Sequence, residues 1–372
     1  MAASGQPSQI RSITLPTLLK EAAEGQHKER CAMRVERVNG VAPPVDAATG
    51  RAPDALPDAE WTQWTWQQYY DESAAIAKAL MDCGVEQFGS VAIYGFNSPE
   101  WLMASQATIM AGAKTAGIYP TDTPDQIAYK CSHSDAKVIV LEDAHNLEKF
   151  AAVVDQAPGI NTVVVWNSAE VTTSELRGGA VKVKTWEQFK REGDASSADL
   201  GARLEQIRPG HCCALIYTSG TTGRPKAVMV SHDNIFFESC TVLNLLADKV
   251  GNGYDLQGNL DNEERIISYL PLSHVAGMMV DIVCPVAMTA RRESPSYCTV
   301  SFARPYDLKI GSLALRLQSI RPTMFLGVSL CELGCWCLLL NGGSEWCVSL
   351  CGRCASSMGE DIGEDEGDWC EH

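Results

Sequence analysis

Residues 217–232 read YTSGTTGRPKAVMVSH. Thr218, Ser219, Gly220, Thr221, Thr222 and Gly223 stand in a row, and Lys226 follows three residues later. Small residues let successive backbone N–H groups turn inward around a polyphosphate. Hydroxyls add donors, and glycine supplies the positive φ that such a nest requires. Lys226 then offers a compact positive charge to the outer phosphates. The spacing differs from the P-loop G-x-x-x-x-G-K-[ST], because Gly223 is followed by Arg224, Pro225, Lys226 and Ala227. Apolar residues lead into the stretch (CCALIY, 212–217) and out of it (AVMV, 227–230). That predicts a turn between two strands, where a P-loop would pass from strand directly into helix. A polar Gly/Thr hairpin with no ligand is the competing reading.

The segments on either side predict alternating elements. After the hairpin, Ser231 or Asp233 caps a helix reaching about Ala247, and the polar stretch 251–265 leads to a strand in IISYLPL (266–272). YCTVSFA (297–303), DLKIGSLALRLQSI (307–320) and TMFLGV (323–328) read as strand, helix and strand. Before the hairpin, Thr65 caps a helix whose apolar positions Tyr69, Ile76 and Leu80 keep helical spacing, and Gly84 suits its end. SVAIYGF (90–96) is a buried strand. Ser98, Pro99 and Glu100 then open a helix to about Gly112 as cap, first helical residue and first-turn acid. A helix over 124–132 leads into the strand KVIVLED (137–143), and INTVVVW (160–166) is another strand. Strands alternating with helices imply a doubly wound α/β fold, with a mostly parallel sheet covered on both faces. Residues 1–58, with the loop-like VAPPVDAATGRAPDALP (41–57), read as a weakly ordered leading segment, with order beginning at Trp61.

With 372 residues, 45% hydrophobic and 20% charged, the chain is long and apolar enough to bury one large core or two smaller ones. A net charge of −16 argues against nucleic acid as a partner and against electrostatic docking on anionic lipid. The opening MAASGQPSQIRSITLPTLL lacks the apolar core of a signal peptide. The most apolar long run, 101–119, is interrupted by Gln106 and Lys114, so no transmembrane segment is expected. The cysteines before residue 329 therefore read as reduced core thiols of a cytoplasmic protein, with peripheral attachment at the endoplasmic reticulum surface left open.

The hairpin stretch resembles the phosphate-binding signature of the AMP-forming adenylating enzymes, the superfamily of acyl-CoA synthetases, luciferases and peptide-synthetase adenylation domains. That family usually carries glycine where this chain has Ala227. YLPLSHVAG (269–277) resembles the family's second signature, which ends a strand beside the acyl pocket. The resemblance gives His274 a place on the path along which the acyl group meets CoA. From its surroundings alone, a histidine after an apolar strand reads as a structural residue. IYGFNSPEWLMA (93–104), AGIYPTD (116–122), SHDNI (231–235) and SIRPTMFLGV (319–328) resemble the fatty-acyl members, in particular long-chain and very-long-chain acyl-CoA synthetases of the bubblegum type. The residue types of the first two stretches yield no catalytic role.

The resemblance covers about 61–328 and implies a partial adenylating-enzyme N-terminal domain over 59–328, with mostly parallel sheets flanked by helices. It implies ATP, Mg²⁺ and CoA as cosubstrates and a fatty acid as substrate. Thr218, Ser219, Gly220, Thr221, Thr222, Gly223 and Lys226 would lie at the phosphates and Thr222 at the metal, with Lys226 and His274 catalytic.

At Ser329 the resemblance stops. Residues 329–372 hold nine acids against one arginine and seven of the fifteen cysteines. Cys331, Cys335, Cys351 and Cys354 formally permit a zinc site, against which three competing cysteines and an acidic Gly-rich end weigh. Val328-Ser329 can be encoded by GTG-AGT, a splice-donor sequence, so read-through of an intron would produce such a tail; sequencing the transcript across codon 328 decides it. The family's adenine-, ribose- and hinge-bearing segments and its mobile domain have no counterpart here, and little complete ligase activity is expected. The alternatives are a non-catalytic isoform that binds nucleotide or acyl chains, and an adenylating enzyme for another class of carboxylate.

Overall fold

The computed structural model describes residues 11–38, 40–218, 224–249, 263–290, 296–328, 336–341 and 346–349. In chain order the strands are β1 (Cys31–Val35), β2 (Thr62–Thr65), β3 (Ser90–Tyr94), β4 (Lys114–Ile118), β5 (Ala136–Leu141), β6 (Thr162–Val165), β7 (Glu175–Leu176) and β8 (Val181–Thr185). They continue with β9 (Cys212–Thr218), β10 (Lys226–Ser231), β11 (Glu263–Ser268), β12 (Tyr297–Phe302), β13 (Met324–Val328), β14 (Trp336–Asn341) and β15 (Trp346–Ser349). The α-helices are α1 (Leu15–Glu24), α2 (Trp66–Asp82), α3 (Pro99–Met110), α4 (Pro124–His133), α5 (Ala144–Ala151), α6 (Trp186–Ala195), α7 (Leu200–Gln206), α8 (His232–Lys249), α9 (Val275–Gly277), α10 (Cys284–Thr289) and α11 (Leu313–Ile320).

Among the described residues these strands form two sheets. The eight-stranded sheet runs β10-β9-β4-β3-β5-β6-β8-β7 and the seven-stranded sheet β15-β14-β13-β11-β12-β1-β2. In the first sheet the strands from β9 to β8 pair in parallel, and β10 and β7 close the edges antiparallel. The alternation of side chains accounts for its two covered faces. Val91, Ile93, Val138, Val140 and Val164 enter one core with α2, α3 and α6. Ala92, Tyr94, Ile139, Leu141, Val163 and Val165 enter another with α4 and α5.

Local signals explain the helices. Thr65 and Gln68 form a reciprocal capping box at the start of α2, and Gly84 takes φ +82 just past its end. Ser98 Oγ accepts from Trp101 N at 3.1 Å, with Pro99 opening α3. Every residue of α3 is buried because it packs against β3 and β4 of one sheet and β1 of the other. The first-turn acid Glu100 is therefore shut away from water, and Arg37 holds it with two bonds of 2.6 and 2.7 Å.

Order begins well before Trp61, which corrects the expectation for the leading segment. Thr14 caps α1, and Leu15, Leu18, Leu19, Ala22 and Ala23 form its buried face. Leu15 N donates to His232 Nδ1 at 3.2 Å, and burial pushes the His232 pKa down to about 4, so a neutral ring accepts this bond. The helix expected over 307–320 is shorter, starting at Leu313. Asp307 accepts from Arg304 N and Ser312 Oγ, and Gly311 takes φ +72, so the chain turns before the helix starts. β11 ends at Ser268, and the following Tyr-Leu-Pro-Leu leaves the sheet.

β14 and β15 continue the second sheet antiparallel from β13, with Met324 opposite Leu340 and Val328 opposite Trp336. The candidate zinc cysteines 331, 335, 351 and 354 lie outside the described residues. The cysteines of the body are thiols, and burial pushes that of Cys131 up to about 12. No helix among the described residues is long and apolar enough to cross a membrane.

Candidate active site

β9 and β10 form the expected hairpin, with Lys226 opposite Thr218 and Ala227 opposite Tyr217. Thr218 Oγ1 donates to Lys226 O at 3.5 Å at its loop end, and both side chains are exposed. Ser219, Gly220, Thr221, Thr222 and Gly223 lie outside the described residues. The two described members of the predicted phosphate set are thus brought together at the end of β9. In an open α/β sheet, ligands bind beyond the carboxyl ends of the parallel strands, and Thr218 occupies that end of β9.

Helix α4 braces both stems of the hairpin. Tyr129 Oη donates to Pro225 O at 3.0 Å on the outgoing stem, and the Arg224 guanidinium lies over the Tyr129 ring at 5.3 Å. On the incoming stem, Tyr217 Oη donates to Lys130 O at 3.3 Å and meets His133 Nδ1 at 3.1 Å. Lys130 itself is buried, paired with Asp122 and set over the rings of Tyr119 and Tyr217 at 4.7 and 5.3 Å. Asp122 Oδ2 also accepts from Tyr119 N at 3.0 Å. The turn 119–122, which offers no chemistry of its own, therefore anchors the helix that holds the hairpin. None of Tyr129, Lys130 and His133 is among the predicted site residues; the only signal for them is that α4 follows β4, the neighbour of β9.

His274 caps α9, its Nδ1 accepting from Ala276 N at 3.2 Å. Burial pushes its pKa down, favouring a neutral imidazole. Its loop is set against β4 at Gly117, where a Cβ would come within 2.6 Å of Ser273 Cβ. Gly277 has a similar constraint, since its Cβ would meet Pro271 O at 2.5 Å. β4 also pairs with β9 through Thr115–Ala214 and Ala116–Leu215. One strand thus separates the His274 loop from the hairpin strand.

The FNSPEW stretch joins the two sheets. Asn97 Nδ2 donates to Ser268 Oγ at 2.8 Å and to Leu270 O at 2.7 Å. Behind Ser268 lies Asp281, in the π-helical segment Met278–Val283 that continues α9. Burial pushes its pKa up to about 8, against a hydrogen bond with Ser268. The crevice between β3 and β5 is the point where strand order reverses, but the chain fills it. A Cβ on Gly95 would come within 2.5 Å of the Trp166 ring and 2.6 Å of Glu142 Cβ, and Phe96 N donates to Glu142 Oε2 at 2.7 Å. On the β9–β4 side, Thr218 and Lys226 are exposed.

The profile of the AMP-binding enzyme family matches residues 45–307. The chain is 36% identical over 270 residues to the long-chain-fatty-acid–CoA ligase ACSBG2 of Xenopus laevis, an alignment covering 72% of this chain and 33% of that protein. It is 34% identical over 270 residues to the long-chain-fatty-acid–CoA ligase ACSBG1 of Homo sapiens, covering 72% and 34%. The chain therefore spans about a third of the length of the curated relatives it matches. Among solved structures, the adenylation domain of a carboxylate reductase from Mycobacterium chelonae superposes with a TM-score of 0.59 at 18% identity, covering 86% of this chain and 46% of that one.

Proposed function

The chain belongs to the AMP-binding enzyme family, and on that premise we propose that its site activates a long-chain fatty acid with ATP, forming an acyl-adenylate that CoA intercepts. The carboxylate oxygen attacks the α-phosphorus, the bond to the β-phosphate oxygen breaks, and pyrophosphate departs. The CoA thiol then attacks the acyl carbonyl and AMP leaves. Neither step needs a covalent bond to the protein, so catalysis is positioning and charge neutralisation. Thr218 and Lys226, with Ser219, Gly220, Thr221, Thr222 and Gly223 between them, hold the outer phosphates. The Lys226 charge meets the negative charge that develops on pyrophosphate. His274, neutral through burial, lines the path to CoA without adding a second cation there. Hydroxyl and phosphate oxygens are the hard donors Mg²⁺ takes, so Thr222 suits a metal whose contribution is to neutralise phosphate charge. A cytoplasmic location, with peripheral contact at the endoplasmic reticulum surface, suits a reaction joining ATP and CoA to a fatty acid.

The observation that carries this reading is the braced hairpin, whose exposed Lys226 stands at the carboxyl end of the parallel strands. Fatty-acid-dependent ATP–pyrophosphate exchange on the purified 372-residue chain tests it, with Lys226→Ala expected to lower exchange by about 10²–10³. A second reading is binding of nucleotide or acyl chains without turnover. ATP binding that Lys226→Ala weakens, without exchange in either protein, selects the second reading. Exchange with aryl or amino acids in place of fatty acids overturns the substrate class.

A further inference from the structure

We propose that Arg224 is a second phosphate-binding cation of the hairpin and that Tyr129 is the residue that positions it. This rests on reading the hairpin as a phosphate site. Arg224 lies two residues before Lys226 on the outgoing stem and is exposed. Its guanidinium is not left to wander, because it lies over the Tyr129 ring at 5.3 Å. The Tyr129 hydroxyl holds the neighbouring Pro225 carbonyl at 3.0 Å. One aromatic side chain thus fixes both the backbone of the stem and the direction of the cation. Stacking orients a guanidinium through its face and leaves its N–H donors at the rim free to meet an anion.

The charge pattern around the hairpin supports the assignment. The whole chain carries a net −16, yet no described acid neutralises the cations of the hairpin. Among the described residues neither Arg224 nor Lys226 has an ion-pair partner, while the nearby buried Lys130 takes Asp122. The tyrosine brace continues across α4. The Tyr129 and His133 rings stand 5.3 Å apart, and His133 meets the Tyr217 hydroxyl on the incoming stem. Both stems are therefore held from one helix, and the two unpaired cations project from the stem nearest Tyr129. A guanidinium and an ammonium two residues apart match the closely spaced charges of linked phosphoryl groups better than those of a single carboxylate.

Calorimetric titration of the full 372-residue chain with inorganic tripolyphosphate tests the proposal. Arg224→Gln should raise Kd about tenfold, equivalent to about 1.4 kcal/mol, without moving the thermal midpoint, because the side chain is exposed. Arg224→Lys, which keeps the charge but loses the planar fork, should cost about threefold. Tyr129→Leu should weaken binding more in the wild-type background than in the Arg224→Gln background, where only its hold on Pro225 O is left to lose. Equal losses for Tyr129→Leu in both backgrounds would overturn the positioning role. An unchanged Kd in Arg224→Gln, with Lys226→Ala impaired, would overturn the role of Arg224 alone. Absence of tripolyphosphate binding by the wild-type chain would overturn the phosphate reading of the hairpin, and this proposal with it.

Discussion

Glu36, buried, and Glu142, half-buried, both stand just beyond a parallel strand, one in each sheet, yet their surroundings drive their protons in opposite directions. Burial alone pushes the Glu36 pKa up, but the Arg304 hydrogen bond, the Leu56 N–H and the charges of Arg316 and Arg304 bring it below the ordinary carboxylate range. Arg304 meets it with two bonds of 2.7 and 2.8 Å and reaches on to Pro53 O and Asp54 O, pinning the loop above the seven-stranded sheet. Burial likewise pushes Glu142 up, to about 7, and here little opposes it beyond the Phe96 N–H. The nearest cation, Arg37, is already committed to Glu100, while Asp143 and Glu100 add repulsion. Burial by itself does not set the charge of a carboxylate; the number of cations not claimed by another acid does. The hairpin follows the same rule in reverse, with cations that no described acid claims.

The largest test removes the pairing at Glu36. Arg304→Met leaves that carboxylate buried with half its partners, and should cost about 3–5 kcal/mol in equilibrium denaturation at pH 7. Because the folded pKa of Glu36 is lowered, its stabilisation is complete above the unfolded carboxylate range and is lost as pH falls through the folded value. A loss under about 1 kcal/mol would mean that Arg316, 2.7 Å from Glu36, suffices alone.

Glu142 provides the opposite case. An unfolded glutamate releases its proton near 4.3, whereas folded Glu142 keeps its proton up to about pH 7. Its contribution is therefore greatest below the unfolded pKa and declines as pH rises through about 7. Glu142→Gln keeps an oxygen for the Phe96 N–H and removes the ionisation, so at pH 8 it should be more stable than the wild type by up to about 3 kcal/mol. At pH 4 the two proteins should be nearly equal. A pH-independent difference between them would assign the effect to packing and break the comparison.

These buried ion pairs also mark the limit of what the residues announce in order. Thr65 with Gln68, and Ser98 with Pro99, state helix starts within four positions, and the apolar flanks of the glycine–threonine run state a strand on each side. α1 was legible by the same means, since Leu15, Leu18, Leu19, Ala22 and Ala23 keep helical spacing behind Thr14; the proline-rich stretch after it draws attention to the loop. Glu36 and Arg304 are another matter, being 268 residues apart. Nothing local to either tells which arginine will claim which acid. The candidate site divides in the same way. Thr218 and Lys226 belong to one hairpin and are visible in its spacing, while Tyr129 reaches Pro225 across 96 residues because α4 packs beside the strand next to β9.

The smallest effect sharpens the comparison from within the Glu36 neighbourhood. Arg34 pairs with Asp58 at 2.9 Å, a distance close to that of the Arg304 bonds, but the Asp58 side chain is 65% exposed. Water already solvates that carboxylate, so the pair gains little Coulomb energy, and removing the acid strands no buried charge. Arg34 keeps its bond to Ser301 Oγ at 2.9 Å and its place over the Trp61 ring at 5.2 Å. Asp58→Ala should therefore cost less than about 1 kcal/mol at low salt and still less at high salt. A loss as large as that of Arg304→Met would show that exposure of one partner does not weaken the pair, and that the contrast between Glu36 and Glu142 must be sought in geometry instead of in unclaimed cations.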